Sequence, residues 1–268
     1  MEEIDDNSVD LVVTSPPYNI DIQYGQKWKD RKPVESKGKK YSDDMEEDEY
    51  RKMLEKVFEE CKRVLKDSGS IWVNLKNKIN KKDIETPFWV FEYFSDMHMK
   101  NMVIWQYDWG AASENRFSPS YEYFFWWSMD KEDYKFNLDD VKVPVEHFRP
   151  DRWNSQLKNP GDVWEIPRVS GNFEERTDHP AQFPEELIKR IILSCTDRDD
   201  VVLDPFMGSG TTAKVARDTK RKYLGYEVEE EYIEICEERL SGGRQATLKP
   251  QEKYYGDLDN HIGEKDEE

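Results

Sequence analysis

The chain has 268 residues, 40 of them basic and 58 acidic, so its formal charge at pH 7 is −18. This length suits one large α/β domain with a smaller inserted region, and the acidic balance argues against a nucleic-acid partner unless basic residues cluster locally. No apolar run reaches the ~18 residues of a membrane span, the N-terminus has no signal-peptide pattern and the three cysteines are widely spaced, so we expect a cytoplasmic protein without a metal site.

The first half of the chain alternates strand and helix patterns. Residues 9–14 form a continuous apolar run, typical of a strand buried on both faces. The stretch 19–42 is polar, basic and rich in helix-breaking residues, which predicts a mobile loop that either closes over a ligand or is a plain disordered connection. Apolar residues then recur at helical spacing over 50–65, and Gly69 is expected to end that helix. Further patterns predict strands at 71–75, 102–107 and 121–127 and a helix at 87–97.

The second half begins with an irregular stretch and then becomes regular. Prolines and glycines interrupt residues 129–178, which predicts an inserted region without regular structure. Helix patterns follow at 184–195, 210–218 and 229–240, with strand patterns at 201–204 and 223–227. Because strands and helices alternate at both ends of the chain, we predict an α/β fold with a mostly parallel, doubly wound sheet.

A glycine-rich turn joins the strand at 201–204 to the next helix. Gly208 and Gly210 let the backbone turn sharply and let a ligand approach the helix N-terminus. Glu227 ends the following strand, where a carboxylate can bind ribose hydroxyls, so the segment predicts a nucleoside cofactor. The spacing also fits a dinucleotide fingerprint. Asp204 suits an ammonium group and repels a pyrophosphate, and no second nucleotide-binding half follows, which favours S-adenosylmethionine over NAD.

The first strand ends in two consecutive prolines, within Ser15-Pro16-Pro17-Tyr18. Prolines remove two backbone donors, so this turn offers carbonyl acceptors to a substrate that donates hydrogen bonds. An aromatic amine is such a donor, and it is a poor nucleophile because its lone pair is delocalised. Acceptance of its protons by Ser15 Oγ and the Pro16 carbonyl would free that lone pair. Tyr18 would stack on the ring. An ordinary Pro-Pro turn is the structural alternative.

Together the two turns resemble the motifs of S-adenosylmethionine-dependent DNA amino methyltransferases. Ser15 to Tyr18 is similar to their catalytic motif, and Asp204 to Thr212 is similar to their cofactor motif. The catalytic motif comes first, which is the permuted order of the β group. The resemblance implies a Rossmann-like methyltransferase fold. It further implies a catalytic half at 1–128, a target-recognition region at 129–178 and a cofactor-binding half at 179–268.

The resemblance also implies which residues bind each partner. Residues 115–123 look like the strand pair beside the target pocket, and residues 179–184 look like the segment over the cofactor's methionine end. The expected cofactor-binding residues are His179, Ala181, Gln182, Phe183, Asp204, Pro205, Phe206, Gly208, Ser209, Gly210, Thr211, Thr212, Glu227 and Asp257. The expected DNA contacts are Lys27, Lys29, Arg116, Arg149, Arg152 and Arg168. For each of these basic residues, a plain surface charge is an equally good interpretation.

The residue ahead of Pro-Pro-Tyr bears on the target base. Family members with Ser there mostly methylate cytosine N4 and those with Asp mostly adenine N6, so Ser15 favours cytosine N4 in double-stranded DNA, reached by base flipping. Adenine N6 remains the alternative, because both amines need the same acceptors. More distant alternatives are an NAD-dependent oxidoreductase and a catalytically silent DNA-binding relative. A partner endonuclease, a monomer or homodimer, and a prokaryotic or viral host also fit the family.

The chain departs from the family at one element. Relatives carry a strand with a Gly-Asp pair just ahead of the catalytic strand, and the sequence ahead of residue 9 is too short for it. Residues 254–258, which include Gly256-Asp257, resemble that element. We therefore expect a C-terminal strand beside residues 9–14, with Asp257 reaching the cofactor's adenine. A frayed acidic tail is the alternative.

Overall fold

The structure is a computed structural model that describes residues 1–20, 43–80, 83–108, 113–145, 155–170, 173–241 and 254–255. The strands are β1 Val9–Thr14, β2 Leu65–Leu75, β3 Lys78–Asn80, β4 Asp83–Glu85, β5 His98–Gln106, β6 Tyr121–Ser128, β7 Val143–Pro144, β8 Leu157–Lys158, β9 Val163–Glu165, β10 Val201–Asp204, β11 Lys222–Gly225 and β12 Tyr254–Tyr255. The helices are α1 Glu47–Val64, α2 Glu185–Cys195, α3 Thr211–Asp218 and α4 Glu230–Ser241, with 3-10 helices at Pro87–Glu92 and Leu138–Asp140.

One central sheet organises the molecule, with strand order β12-β11-β10-β1-β2-β6-β5-β9. β6 and β12 run against the other strands of this sheet. The chain leaves β1 through α1 to reach β2 on one side, and it leaves β10 through α3 to reach β11 on the other side. The carboxyl ends of β1 and β10 therefore form a topological switch point, where open α/β sheets place ligands. The predicted mostly parallel, doubly wound fold is confirmed.

Apolar layers cover both faces of the sheet. All six residues of β1 are buried, as its apolar run predicts. Val12 belongs to a cluster that includes Leu54 and Phe58 of α1, whereas Leu11 and Val13 belong to a second cluster with residues of α2 and α3. Successive side chains of a strand point to opposite faces, so one apolar strand contributes to both layers. Because β1 is buried along its whole length, the turn that follows Thr14 starts at a fixed position at the edge of the sheet.

The prediction that Gly69 ends the first helix is wrong. The helix ends at Val64, and β2 begins at once with Leu65 rather than at residue 71. The pairing of β1 with β2 shifts register between Val9 and Leu11, which places Gly69 in an irregular part of the strand. A Cβ at Gly69 would lie 2.8 Å from the Lys66 carbonyl oxygen, so this glycine permits a close backbone approach within the bulge.

The predicted helix at 87–97 is mostly absent. The structure has a 3-10 helix over Pro87–Glu92, followed by turns. Side chains at i and i+3 are eclipsed in a 3-10 helix, and the rings of Phe88 and Phe91 stack accordingly with centroids 5.6 Å apart. Phe91 also packs edge-on against Phe125 of β6, so aromatic contacts with the sheet determine this conformation.

The stretch 129–178 is not wholly irregular, contrary to the prediction. β9 pairs in parallel with β5 at the edge of the central sheet, where Trp164 pairs with Trp105. The Trp164 side chain is 5% exposed and stacks on Trp72 at 6.0 Å. β7 and β8 form a separate two-stranded sheet. Short strands among prolines escape detection because they have too few residues to show a period.

The expected position of the C-terminal strand is also wrong. β12 pairs antiparallel with β11, through Leu224 and Gly225, whereas β1 lies between β10 and β2. Asp257 lies outside the described residues. Within the part of the chain that the structure describes, no helix is both long and apolar enough to cross a membrane.

Candidate active site

A buried carboxyl group joins the two sequence motifs at the switch point. The Thr14 hydroxyl at the end of β1 donates to Asp204 Oδ1 at the end of β10, at 2.8 Å. The Phe206 amide also donates to Oδ1 (3.1 Å), and the Thr212 hydroxyl donates to Oδ2 (2.7 Å). Burial raises the pKa of Asp204 to about 6, against these hydrogen bonds. Asp204 thus holds the glycine-rich turn against β1 in addition to any contact with a ligand.

The glycine-rich turn depends on two left-handed residues. Gly208 has φ +53° and Gly210 has φ +75°, a region that favours glycine. A Cβ at Gly208 would lie 3.0 Å from His179 Nε2, and one at Gly210 would overlap the Cys236 sulfur. From α4, the Arg239 guanidinium donates to the Ser209 carbonyl oxygen at 2.8 Å. The turn is therefore closed on two sides, which leaves its remaining side for a ligand.

Glu227 lies just after β11 and is tied to the same turn. Its Oε2 accepts from the Gly208 amide at 2.8 Å, and its Oε1 accepts from the Val228 and Glu229 amides at 2.8 and 2.9 Å. Burial raises the pKa of Glu227, and these backbone donors oppose that shift. The carboxyl group is thereby held at a fixed distance from the turn.

The segment after residue 178 folds over the turn. The Ala181 amide donates to His179 Nδ1 at 3.2 Å, and Gln182 Oε1 accepts from the Thr177 amide at 2.8 Å. The His179 ring meets the Tyr232 ring edge-on, with centroids 4.4 Å apart. Burial, with a smaller effect of the Arg239 charge, lowers the pKa of His179 to about 3. His179 is therefore neutral near pH 7 and positions its loop.

The Pro-Pro turn carries a network of polar side chains. The Ser15 hydroxyl donates to Tyr18 Oη (2.9 Å) or to Asn74 Oδ1 (3.1 Å). The Tyr18 hydroxyl lies 2.5 Å from Asn74 Oδ1 and 3.1 Å from Glu122 Oε2. From α1, the Tyr50 hydroxyl donates to the Pro17 carbonyl oxygen at 2.7 Å, which anchors the turn. These bonds fix the Ser15 hydroxyl at the carboxyl end of β1.

Both turns line one cavity of about 220 Å³. Its wall contains all four residues of the Pro-Pro-Tyr motif and nearly every residue predicted to bind the cofactor. The predicted residues that line it are Ser15, Pro16, Pro17, Tyr18, His179, Ala181, Gln182, Phe183, Asp204, Pro205, Phe206, Gly208, Ser209, Thr211, Thr212 and Glu227. Gly210 is not in the wall, because it packs against α4 instead.

A second cavity, of about 500 Å³, adjoins the first. The two share Tyr18 and four residues of the segment 179–183 in their walls. The larger cavity is lined by three cationic side chains, Lys76, Arg168 and Arg176, and by one carboxylate, Glu122. The Lys76 ammonium lies 4.3 Å from the centroid of the Tyr18 ring, and burial lowers the pKa of Lys76. A ligand here would meet Tyr18 and these charges.

The predicted DNA contacts are only partly placed. Arg168 lines the larger cavity, and its guanidinium lies 4.6 Å from the Tyr107 ring centroid. Arg116 is half-buried in the connection between β5 and β6, outside both cavity walls. The other predicted contacts, Lys27, Lys29, Arg149 and Arg152, lie outside the described residues. No group of three or more His, Cys, Asp or Glu among the described residues is arranged to hold a metal ion.

Several wall residues were not singled out from the sequence. Tyr226, Val228 and Glu229 line the smaller cavity, and their position beside Glu227 was the available signal. Glu122 lies in the segment 115–123 expected beside the target pocket, yet an acidic residue within a strand gives no sign of its partner. Asn74 is the penultimate residue of β2, whose neighbour β1 leads into the Pro-Pro turn, so the sheet order is needed to find it.

Comparisons with known proteins agree on one family. The sequence model of the DNA methylase family of N6 and N4 methyltransferases matches residues 9–238. The chain is 40% identical over 255 residues to the type II methyltransferase M.BglII of Bacillus subtilis, covering 90% of this chain and 66% of that protein. It is 33% identical over 255 residues to the DNA adenine methyltransferase YhdJ of Escherichia coli strain K12, covering 90% and 79%. The chain thus spans about two thirds of the length of M.BglII.

Solved structures share the fold. The PvuII DNA methyltransferase, named as cytosine-N4-specific, aligns with a TM-score of 0.66 at 22% identity, covering 89% of this chain and 81% of that one. TTHA0409 of Thermus thermophilus, solved with S-adenosyl-L-methionine, aligns with a TM-score of 0.59 at 21% identity, covering 90% and 89%. The family resemblance of the two turns is confirmed, and this chain belongs to the N6 and N4 methyltransferase family of DNA methylases.

Proposed function

We propose that this protein transfers a methyl group from S-adenosylmethionine to the exocyclic N4 amino group of cytosine in double-stranded DNA. The observation that carries the proposal is the position of Ser15. Its hydroxyl lies on the wall of the cavity formed by the glycine-rich turn, and its partner Tyr18 lines both cavities. An amine donor and a methyl donor can therefore meet at Ser15.

The smaller cavity fits the cofactor. Gly208, Ser209 and Thr211 of the glycine-rich turn line its wall, so a ligand there lies against the start of α3. Glu227 holds a carboxyl group in the wall after β11, where it can accept from ribose hydroxyls. Pro205, Phe206 and Phe183 supply apolar surface. When bound, the cofactor supplies an electrophilic sulfonium methyl group.

The chain's own residues would activate the amine. Ser15 Oγ and the Pro16 carbonyl oxygen accept hydrogen bonds from its two protons, which localises the nitrogen lone pair. Tyr18 presents its ring to a base rotated out of the duplex, and the larger cavity supplies the room for it. The neutral His179 orients the loop between the two ligands. Positioning and preorganised acceptors then supply the catalysis.

The region 129–178 would contact DNA around the target base. Arg168, Ser170 and Arg176 bring its end to the larger cavity. β9 of this region is an edge strand of the central sheet. DNA contacts made by the region would therefore keep a fixed position relative to the larger cavity, which is the proposed base pocket. Two relatives of the protein are named type II methyltransferases, which supports a cognate endonuclease acting on the same DNA site.

Nucleoside analysis tests the proposal. DNA incubated with the purified protein and S-adenosylmethionine is digested to nucleosides and examined by mass spectrometry, with Ser15→Ala as the matched variant. We expect N4-methylcytosine with the wild type and a mark reduced by about 100-fold or more with Ser15→Ala. A wild-type reaction that leaves no methylated base would disprove the proposed function.

Adenine N6 is the second candidate, because the relative YhdJ is named a DNA adenine methyltransferase. Both amines present two protons to the same acceptors, so the hydrogen bonds of Ser15 serve either base. The nucleoside digest separates the two candidates directly. N6-methyladenine in place of N4-methylcytosine would keep the family chemistry and replace the target base.

A further inference from the structure

Two hydroxyl groups connect the catalytic turn to a buried carboxylate. Ser15 Oγ lies 2.9 Å from Tyr18 Oη, which lies 3.1 Å from Glu122 Oε2. Glu122 is the second residue of β6, is 7% exposed and lines the larger cavity, whereas Ser15 lines the smaller one. The chain Ser15–Tyr18–Glu122 therefore runs from the proposed reaction site to the wall of the base pocket.

Asn74 completes the network without offering a base. Its Oδ1 lies 3.1 Å from Ser15 Oγ and 2.5 Å from Tyr18 Oη and is an alternative acceptor for either hydroxyl hydrogen, while its Nδ2 donates to the Tyr123 carbonyl oxygen at 3.0 Å. The Tyr123 contact fixes which end of the amide faces the site. An amide oxygen accepts hydrogen bonds but takes up no proton near neutral pH. Among the described groups that these bonds reach from Ser15, Glu122 carries the carboxylate.

Methylation of an exocyclic amine leaves a proton to be removed. Once nitrogen has bonded to the methyl carbon, it carries two hydrogens and a positive charge, and one of these hydrogens faces Ser15 Oγ. A nearby base that accepts this proton as the bond forms would lower the barrier. The direct partners of Ser15 are a phenol and an amide, so the base must act through one of them.

We propose that Glu122 receives this proton through Ser15 and Tyr18, an inference that rests on the proposed function. The amine proton moves to Ser15 Oγ, the Ser15 proton moves to Tyr18 Oη, and the Tyr18 proton moves to Glu122 Oε2. One N–H and two O–H bonds break, and three O–H bonds form. The methylated nitrogen becomes neutral and Glu122 becomes a carboxylic acid, which returns its proton to solvent through the larger cavity. Glu122 is thus a positioning residue that accepts the proton through Tyr18, and it lies in the segment 115–123 expected beside the target pocket.

Two neighbouring groups interact with the Glu122 carboxylate: Lys76, which follows β2, and Tyr107, which follows β5. Arg168, which follows β9, lines the same cavity and lies over the Tyr107 ring. Burial, and next the charge of Glu122, raises the pKa of Tyr107, so Tyr107 stays a neutral partner. Burial lowers the pKa of Lys76, and Glu122 opposes that shift.

The test measures single-turnover methylation of unmethylated plasmid DNA at saturating S-adenosylmethionine. Glu122→Gln should slow the reaction by about 100-fold. Glu122→Asp, which keeps a carboxylate, should recover part of the rate. The control Glu59→Gln removes an exposed carboxylate of α1, outside both cavity walls, and should match the wild type. Calorimetry should show unchanged S-adenosylmethionine affinity in every variant, which excludes damage to the smaller cavity.

A double-mutant cycle separates the relay from a structural role. Tyr18→Phe keeps the ring for stacking and breaks the relay, so Glu122→Gln should cost little more in that background. Additive losses, or a Glu122→Gln rate within threefold of the wild type, would overturn the relay alone. A wild type that methylates no DNA would instead overturn the proposed function.

Discussion

Titration of Asp204 couples pH to folding, because its carboxyl group is enclosed between β1 and the glycine-rich turn. Burial raises its pKa to about 6, above the value of 3.8 expected when the chain is unfolded. The folded state therefore binds the proton more tightly than the unfolded state. This contribution to stability is fully present below pH 3.8 and is lost as the pH rises through about 6. The shift corresponds to at most about 3 kcal/mol.

We predict that Asp204→Asn removes this pH dependence. Asparagine cannot ionise and can still bond to Thr14 and Thr212. Urea unfolding of both proteins at pH 4.5 and pH 7.5 measures the effect. Between these values the wild type should lose about 1–3 kcal/mol more stability than the variant. Comparing the two proteins cancels the titration of every other group, so parallel changes would show that Asp204 ionises as freely as in the unfolded chain.

At the scale of an element, the glycine-rich turn fixes how α4 packs. Gly210 and Gly161 share a left-handed conformation, with φ +75° and +76°. A Cβ at Gly210 would overlap Cys236 of α4, whereas a Cβ at Gly161 would meet no atom within 4 Å. A side chain at Gly161 would therefore add backbone strain alone, whereas a side chain at Gly210 would add backbone strain and steric overlap.

We predict that Gly210→Ala destabilises the protein more than Gly161→Ala. Both substitutions carry the left-handed penalty of about 1–2 kcal/mol. Gly210→Ala should add about 1–3 kcal/mol, because the buried Cys236 must move. Denaturant midpoints of the two variants and the wild type measure the difference. Equal losses would mean that α4 shifts freely, and the turn would then place no constraint on it.

Elements with a long or distinctive sequence pattern were predictable, whereas elements with a short pattern were not. The apolar run of β1 and the paired motifs around Ser15 and Asp204 carry their structural meaning locally, so the sheet, the two turns and most of the smaller cavity were predictable. Glu122 and Asn74 acquire their partners only when β2 and β6 pair, which no local pattern encodes. β9 has three residues, too few to show a period. Gly69 looked like a helix end because glycine serves both helix ends and bulges.

At the scale of the whole molecule, Trp164 packs the region 129–178 against β2 and α2 of the central fold. This side chain stacks on Trp72, lies beneath the Arg190 guanidinium at 5.0 Å and donates to the Gly161 carbonyl oxygen at 2.8 Å. Trp164→Ala should therefore destabilise the whole domain by about 3–5 kcal/mol in a single cooperative transition. Leu157→Ala, at a 47% exposed position of the same region, should change stability by less than about 0.5 kcal/mol.

Calorimetric unfolding of both variants checks this coupling. A separate low-temperature transition in Trp164→Ala, with the main transition unchanged, would show that the region unfolds alone. The region would then behave as an independent domain, and the sheet would not fix its position relative to the larger cavity.

The formal charge of −18 belongs to the whole molecule, whereas DNA binding depends on the charge that faces the phosphates. Arg168 and Arg176 both line the larger cavity, where the proposed base enters. Each phosphate contact contributes about −0.9 to the slope of log affinity against log salt concentration. If each arginine contacts a phosphate, its replacement by alanine should make that slope shallower by about 0.9.

Fluorescence anisotropy with labelled duplex DNA over a salt series measures these slopes. The matched control is Lys189→Ala, which removes an exposed charge from α2 outside both cavity walls and should leave the slope unchanged. If Lys189→Ala and Arg176→Ala alter the slope equally, net charge governs binding and no local basic face exists. A change confined to Arg168→Ala and Arg176→Ala would mean that local cations at the cavity let an acidic protein hold DNA, with the remaining acidic surface repelling DNA from other approaches.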